Sequence, residues 1–191
     1  LLGLLTIPAI AFARGGWAVI SVDDVPDHIV AGEPVHLNYS VRQHGVTLLS
    51  GLTGGVNASM GSSVIAGVTT PDRLEGRYAA ALVIPQAGSW TIAIASGFGN
   101  SEVKLVPIRV VARGAAAPPP LRAFERGRQL FAAKGCVTCH VHRDVNDKAA
   151  IAAGPDLTNV RFAADYLPKY LADPTIKPST RPERMPNPNL N

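Results

Sequence analysis

The only two cysteines of the chain stand three positions apart and are followed directly by a histidine. Cys136, Cys139 and His140 form a Cys-x-x-Cys-His run, and the 191 residues contain no other thiol. A Cys-x-x-Cys pair suits three kinds of chemistry: a redox-active dithiol, half of a zinc site, or the covalent attachment of a haem. The residues around the pair must therefore decide among the three.

The surroundings of the pair favour haem. A zinc site needs further thiolates or imidazoles at ligand spacing, and His142 is the only such residue close by; we interpret it as a solvated loop residue. A thioredoxin-like dithiol opens a helix, whereas these cysteines follow a helical pattern that ends at Gly135. With His140 adjacent, the run is the haem c attachment motif, in which both thiols add to vinyl groups and the imidazole lies beneath the iron.

A methionine further along the chain is the candidate for the second iron ligand. Met185 is the only methionine after the motif and follows His140 by 45 residues. It lies in a polar, proline-rich stretch where core packing gives little reason for a thioether, so we predict that it binds the iron. Ligation by histidine and methionine fills both axial positions and suits electron transfer rather than substrate binding.

Several motifs together make residues 121–191 resemble a class I mono-haem cytochrome c domain. The matching positions are Gly127, Phe131, the haem motif, the Gly-Pro-Asp-Leu run from Gly154, the Tyr-Leu-Pro-Lys-Tyr-Leu run from Tyr166, and Met185. The resemblance implies an all-α domain with one covalent haem c. The C-terminal helix that closes such domains is expected to lie beyond residue 191.

The resemblance also implies roles for individual residues. The carbonyl of Pro155 is expected to accept a hydrogen bond from the ring of His140. Leu157 is expected to pack on the haem edge, and Tyr170 to reach a haem propionate. The cofactor-binding set is then Cys136, Cys139, His140, Pro155, Leu157, Tyr170 and Met185, with His140 and Met185 as the iron ligands and no catalytic residue.

Residues 17–112 have the pattern of an all-β domain. Runs rich in β-branched and aromatic residues, such as 35–42, 77–84 and 90–95, alternate with Gly, Pro and Asp turn signals, which predicts an antiparallel sandwich. Gly-x-Tyr and Gly-x-Trp runs near strand starts make this part resemble immunoglobulin-like exported domains. Three consecutive prolines then predict a semi-rigid linker over residues 113–120.

Histidines in the β region raise the question of a copper site. Imidazole and thioether groups suit copper, and the possible ligands are His28, His36, His44 and Met60. These residues are scattered along the sequence, so we interpret them as exposed strand and turn residues.

The first 13 residues are almost entirely apolar and precede the first charged residue, Arg14. They read as a signal segment or as part of a membrane helix, and we predict a retained N-terminal anchor. The remainder of the chain is then expected on the periplasmic face of a bacterial cytoplasmic membrane.

The net charge of +4 belongs to one end of the chain. Residues 1–120 contain seven basic and seven acidic residues of totals of 18 and 14, which leaves 11 basic and 7 acidic residues in 121–191. A basic haem domain favours a partner with an acidic docking face. We expect that partner to be an integral-membrane electron-transport complex, with no nucleic acid and no organic substrate.

The predicted fold is thus multidomain: an apolar anchor helix, an immunoglobulin-like sandwich and an all-α cytochrome c domain. The predicted function is that of a non-enzymatic, membrane-anchored single-electron carrier of a respiratory or photosynthetic complex. Two alternatives stay open. One is a structural subunit with a flexible or vestigial haem domain, and the other is a haem sensor with an open sixth iron position.

Overall fold

The computed structural model describes residues 16–151, 153–176, 185–188 and 190. The strands of this part form two packed sheets. The first contains β1 (Ala18–Val22), β3 (Pro34–Gln43), β4 (Thr47–Leu48), β7 (Val68–Pro71) and β8 (Arg77–Val83). The second contains β2 (His28–Val30), β5 (Gly55–Met60), β6 (Ser63–Ala66), β9 (Gly88–Ala95), β10 (Glu102–Lys104) and β11 (Ile108–Val111).

The strand order of the first sheet is β1-β3-β8-β7, with β4 paired to the end of β3. The order of the second is β2-β11-β9-β5-β6, with β10 paired to β9. The pairing of β2 with β11 is parallel, and the other named pairs are antiparallel. In the described residues, β1 is therefore an edge strand whose only strand partner is β3.

The core of the sandwich follows from period-two alternation along the longer strands. In β3, Val35, Leu37 and Tyr39 are buried while the residues between them are exposed. Since successive side chains of a strand point to opposite faces, this alternation places every second residue in the core. At the centre of the second sheet, Trp90 is fully buried and its indole N–H donates to the carbonyl of Gln86 at 3.0 Å.

The rest of the described chain contains two α-helices, α1 (Ala123–Ala133) and α2 (Tyr166–Ala172), and two 3-10 turns, Cys136–Thr138 and Pro174–Ile176. Helix α1 begins where the backbone N–H of Arg122 donates to the Glu125 carboxylate at 3.0 Å. It ends before Gly135, whose φ of +77° terminates the helical path. The Cys-x-x-Cys pair starts at the next residue.

Helix α1 covers the open edge of the first sheet. Ala133 joins the sandwich core, and α1 contacts both β1 and β10. The ammonium group of Lys134 donates to the carbonyl oxygens of Val22 (3.0 Å) and Asp23 (2.7 Å). The hydroxyl of Ser21 donates in turn to the carbonyl of Lys134 at 3.2 Å. A helix over an edge strand shields backbone groups that no neighbouring strand pairs.

The all-α cytochrome c domain predicted for residues 121–191 is wrong for the described residues. Its two α-helices have 11 and 7 residues, and the long segment between them is built from turns. Local side chains take up the backbone N–H groups there: the Asn146 carboxamide accepts from His142 at 3.0 Å, and the Asp156 carboxylate accepts from Thr158 at 2.8 Å. Such bonds compete with helix formation, so this segment forms no α-helix.

The membrane-anchored, periplasmic localisation also needs correction. Within residues 16–151, 153–176, 185–188 and 190, no helix has the length and apolar character needed to cross a membrane. The predicted anchor helix, residues 1–13, lies outside the described residues.

Candidate functional site

The Cys-x-x-Cys-His run lies against the sandwich because Gly135 lets the chain approach β1 closely. A Cβ built on Gly135 would lie 2.7 Å from the carbonyl oxygen of Ile20 and would also overlap the side chain of Val19. Only glycine fits that space and also tolerates the positive φ. Two residues later, Val137 packs against the sandwich core. The motif is therefore held on the edge of the first sheet.

Both cysteines are thiols and are partly buried. Burial, together with the nearby Cys139, raises the pKa of the Cys136 thiol from 9.0 to about 11. Cysteines that act as nucleophiles or redox centres have lowered pKa values, because the thiolate is the reactive form. The raised value disfavours the dithiol interpretation of the motif.

The imidazole of His140 has a defined orientation. Its Nδ1 lies 2.9 Å from the carbonyl oxygen of Pro155. Because a carbonyl oxygen only accepts hydrogen bonds, Nδ1 carries the proton and Nε2 keeps its lone pair in the neutral ring. Nε2 is thus the nitrogen that can bind a metal, and the bond to Pro155 has the form that fixes metal-ligating histidines.

Gly154 allows the ring of His140 to lie where it does. A Cβ on Gly154 would lie 2.5 Å from Cε1 and 2.6 Å from Nδ1 of His140, and 2.7 Å from the carbonyl oxygen of Cys139. The backbone N–H of Gly154 donates to that same carbonyl at 3.0 Å. A larger residue would push the imidazole off its partner, so Gly154 belongs to the site although the predicted set omitted it.

The loop after the motif is tied back to it by further bonds. The carboxamide of Asn146 donates to the carbonyl of His140 at 2.9 Å. The backbone N–H of Leu157 donates to the carbonyl of Val141 at 2.8 Å, next to His140 in the chain. Leu157 is partly buried. The structure therefore brings Leu157 close to the motif backbone, while its contact with a haem edge stays a prediction.

An apolar cavity of about 540 Å³ lies on the segment that follows Leu157. Its lining residues are Val160, Phe162, Ala163, Ala164, Leu167, Pro168 and Leu171. Apart from Leu167 and Leu171, which are half-buried, these residues are exposed. Because its lining is mostly exposed, the cavity is an open apolar depression on the surface. Apolar residues at this spacing could have indicated it in the sequence, where we identified only the Tyr-Leu-Pro-Lys-Tyr-Leu run from Tyr166.

Tyr170 is part of an aromatic stack. Its ring lies 5.6 Å from that of Tyr166, which in turn lies 6.0 Å from that of Phe162. Partial burial and the neighbouring Tyr166 raise the pKa of Tyr170. The phenol therefore stays neutral at physiological pH and can donate a hydrogen bond. Its predicted role at a propionate stays a prediction.

The side chain of Met185 is partly buried, and the residue stands at the start of the described segment 185–188. The following residue, Pro186, lies against Gly45 of the sandwich: a Cβ on Gly45 would be 2.5 Å from Cγ of Pro186. The methionine segment is thus in contact with the same domain that holds the cysteines. Iron ligation by Met185 stays a prediction.

His142 occupies a different surface from His140. Its ring lies 6.0 Å from that of Phe131 and, with Phe131 and Gly127, lines a cavity of about 230 Å³ on the outer face of α1. The side chain is half-buried, so it is less solvated than the sequence suggested.

The structure does not assemble the possible copper ligands of the β region. His28 lies on β2, His36 on β3, and His44 on the turn after β3, where its ring contacts Trp17 at 5.2 Å. Met60 packs against the sandwich core. In the described part of the chain, no group of three or more His, Cys, Asp or Glu side chains could hold a metal ion.

Comparisons with known proteins give similarity to solved structures only. No family model and no curated protein matches the chain. The chain is similar to domains 4 and 5 of the S-layer protein SbsC, with 23% identity over 49% of this chain and 44% of that one and a TM-score of 0.37. It is similar to the Lin-41 filamin domain, with 19% identity over 55% of this chain and 91% of that one and a TM-score of 0.36.

A third similar structure is the ZirS C-terminal domain, with 11% identity over 58% of this chain and 81% of that one and a TM-score of 0.34. The chain spans less than half the length of the SbsC fragment, 44%. TM-scores this low assign neither a family nor an activity to the chain.

The interpretation as a membrane-anchored class I cytochrome c electron carrier is wrong. The described chain is mainly β-sheet with two α-helices, and neither described helix is long and apolar enough to span a membrane. Haem attachment at the motif is a separate question, which these findings do not test.

Proposed function

We propose that this chain is a β-sandwich scaffold with one covalent haem c at the edge of its first sheet. The supporting observation is the bond between Nδ1 of His140 and the carbonyl of Pro155 at 2.9 Å, which leaves Nε2 for the iron. Cys136 and Cys139 would form the two thioether bonds. The proposal assigns the chain the role of holding the cofactor and does not include electron carriage.

The residues of the motif fit the group. Each thiol adds across one vinyl group, so that sulfur bonds to one vinyl carbon and the thiol hydrogen goes to the other, with no oxidant required. Cys136 is partly buried, and the loop that contains Gly154 packs against the imidazole. When bound, the haem supplies an iron centre. This chain contributes the imidazole of His140, which donates its Nδ1–H to the carbonyl oxygen of Pro155.

A macrocycle attached at Cys136 and Cys139 needs an apolar surface to cover it. We propose that the exposed apolar residues from Val160 to Leu171 provide this cover. Leu157, Tyr170 and the thioether of Met185 complete the proposed binding set.

The test is whether the chain acquires covalent haem. The chain is expressed in cells that attach haem to Cys-x-x-Cys-His runs, and its intact mass is measured after denaturation. We expect a mass increase of one haem, and its loss when Cys136 and Cys139 are both replaced by Ala. Replacement of His142 by Ala is the matched control, and it leaves attachment unchanged because the His142 ring lines a cavity with Gly127 and Phe131 that includes neither cysteine nor His140.

The contrary result is equally informative. If the chain stays free of haem in cells where a known c-type cytochrome is loaded, the proposal is wrong. The chain is then best described as a structural β-domain whose cysteines pack against the sheet edge.

A further inference from the structure

One residue of β1, Val19, meets the residue before the cysteines and lies near the turn that contacts the methionine segment. Ala18, Ile20 and Val22 point into the sandwich core, so Val19 points outward from the same strand. On this outer face, the side chain of Val19 meets Gly135, the residue before Cys136. An apolar side chain at this outward position therefore has packing partners.

Val19 also lies near Gly45, and Gly45 contacts the methionine segment. A Cβ on Gly45 would lie 3.5 Å from Cγ2 of Val19 and 2.5 Å from Cγ of Pro186. Gly45 has a φ of +73° and follows β3, in the turn that leads to β4. Val19 and Gly45 thus lie side by side in one small surface, the Val19–Gly45 surface, and the ring of Pro186 contacts this surface at Gly45.

The methionine segment is also held on its other side. The carboxamide of Asn187 donates to the carbonyl of Ala172, the last residue of α2, at 3.2 Å. Met185 therefore belongs to a segment fixed at two consecutive residues, Pro186 by the sandwich and Asn187 by the end of α2.

We propose that the Val19–Gly45 surface positions Met185, so that the β-sandwich holds both the histidine segment and the thioether segment of the cofactor site. Gly45 is the positioning residue, because it acts through Pro186. The meaning of this inference rests on the proposed haem function, but the contact itself requires no haem. The sandwich is then a part of the cofactor site and not only a spacer.

Methionine methyl NMR can test the contact without haem. The chain contains only two methionines, Met60 and Met185, so a sample labelled at the methionine methyl carbon gives two resonances. We expect Gly45→Ala to move the Met185 resonance toward its unfolded position and to leave that of Met60 in place. Pro186→Ala removes the same contact from the other side and should have the same effect.

Gly51→Ala is the matched control for backbone strain. Gly51 has a φ of +70°, close to the +73° of Gly45, but a Cβ there has no atom within 4 Å. The control should cost similar strain and leave both methyl resonances in place. If the Met185 resonance responds to neither Gly45→Ala nor Pro186→Ala, the contact does not position Met185 and the inference is wrong.

The haem-loaded protein then tests the positioning role. In the reduced, loaded chain, a methionine bound to iron lies over the haem ring, and the ring current moves its methyl resonance far upfield. We expect Gly45→Ala to lower the intensity of this upfield-shifted resonance and Gly51→Ala to leave its intensity unchanged. An unchanged resonance in Gly45→Ala overturns the positioning role. If no haem attaches, the proposed function fails, and the haem-free experiment still decides whether the surface holds Met185.

Discussion

The guanidinium of Arg126 lies 3.0 Å from the carboxylate of Asp24, 102 residues earlier in the chain. The same side chain donates to the carbonyl oxygen of Val25 at 2.5 Å and approaches the carboxylate of Asp27 at 3.4 Å. The backbone N–H of Leu121 also donates to Asp27, at 3.3 Å. The segment after β1 thus fixes both the start and the middle of α1.

Replacing Arg126 by Ala should therefore loosen the helix that leads into the cysteines. Its side chain is only 32% exposed, and the loss of several charge-assisted bonds should lower the free energy of unfolding by about 1–3 kcal/mol. Urea denaturation of the haem-free chain measures this. Arg122 is the control, because its side chain is 82% exposed and pairs locally with Glu125; Arg122→Ala should lower the free energy of unfolding by less than Arg126→Ala does. Equal losses in both variants would show that the long-range bonds contribute nothing.

Gly135→Ala should separate the motif from β1. Alanine at a φ of +77° is strained by about 1–2 kcal/mol, and the collision with Val19 and the Ile20 carbonyl should add about 1–3 kcal/mol. Gly114→Ala provides the strain alone, since Gly114 has a φ of +79° and no atom within 4 Å of a built Cβ. The difference between the two unfolding free energies measures the close approach, and a difference near zero would contradict it.

The sequence predicted the strands whose alternation is regular. The predicted runs 35–42, 77–84 and 90–95 fall on β3, β8 and β9. Period-two patterning is a local signal, so it can be recognised in the sequence without knowledge of the fold. The sequence did not predict β5, β6 and β7, because their region is rich in Gly, Ser and Thr and shows little alternation.

The sequence predicted the motif but not its surroundings. The relation between Cys136, Cys139 and His140 is local, as is the Gly-Pro pair that meets the imidazole. The docking of α1 on β1 joins residues about a hundred positions apart, for which a single sequence carries no signal. Motif resemblance alone therefore led to a separate all-α domain, and the acidic partner face stays a prediction.

The buried phenol of Tyr39 should make the fold sensitive to alkaline pH. Burial, and then the neighbouring Tyr78, raise the pKa of Tyr39 from 10.0 to about 12. Between these values the unfolded chain loses the proton while the folded chain keeps it, so stability falls as the pH rises from 10 to 12. In Tyr39→Phe, the loss of stability between pH 10 and 12 that this phenol causes should disappear. The variant has a lower free energy of unfolding than the parent chain at pH 8. Parallel stability curves for both proteins above pH 10 would contradict the assignment.

The thiol of Cys136 should react slowly in the haem-free chain. With a pKa of about 11 instead of 9.0, its thiolate fraction at pH 8 falls by about 100-fold. In a Cys139→Ser variant, the rate of alkylation by iodoacetamide reports on Cys136 alone. We expect the folded chain to react about 100-fold more slowly than the same chain in urea, where the thiol regains an ordinary pKa. Similar rates in both states would show that the folded chain does not protect the thiol.

Gly154→Ala should break the orientation of His140. The added Cβ would lie 2.6 Å from Nδ1, so the ring must move away from the carbonyl of Pro155. The nitrogen chemical shifts of the haem-free imidazole should then no longer indicate a preference for the Nδ1-protonated tautomer. The fraction of the chain that acquires haem should also fall. Gly127→Ala is the control, since a Cβ at Gly127 has no atom within 4 Å and alanine favours the helix by up to about 1 kcal/mol. A tautomer preference that survives Gly154→Ala would mean that Pro155 does not set the proton on Nδ1.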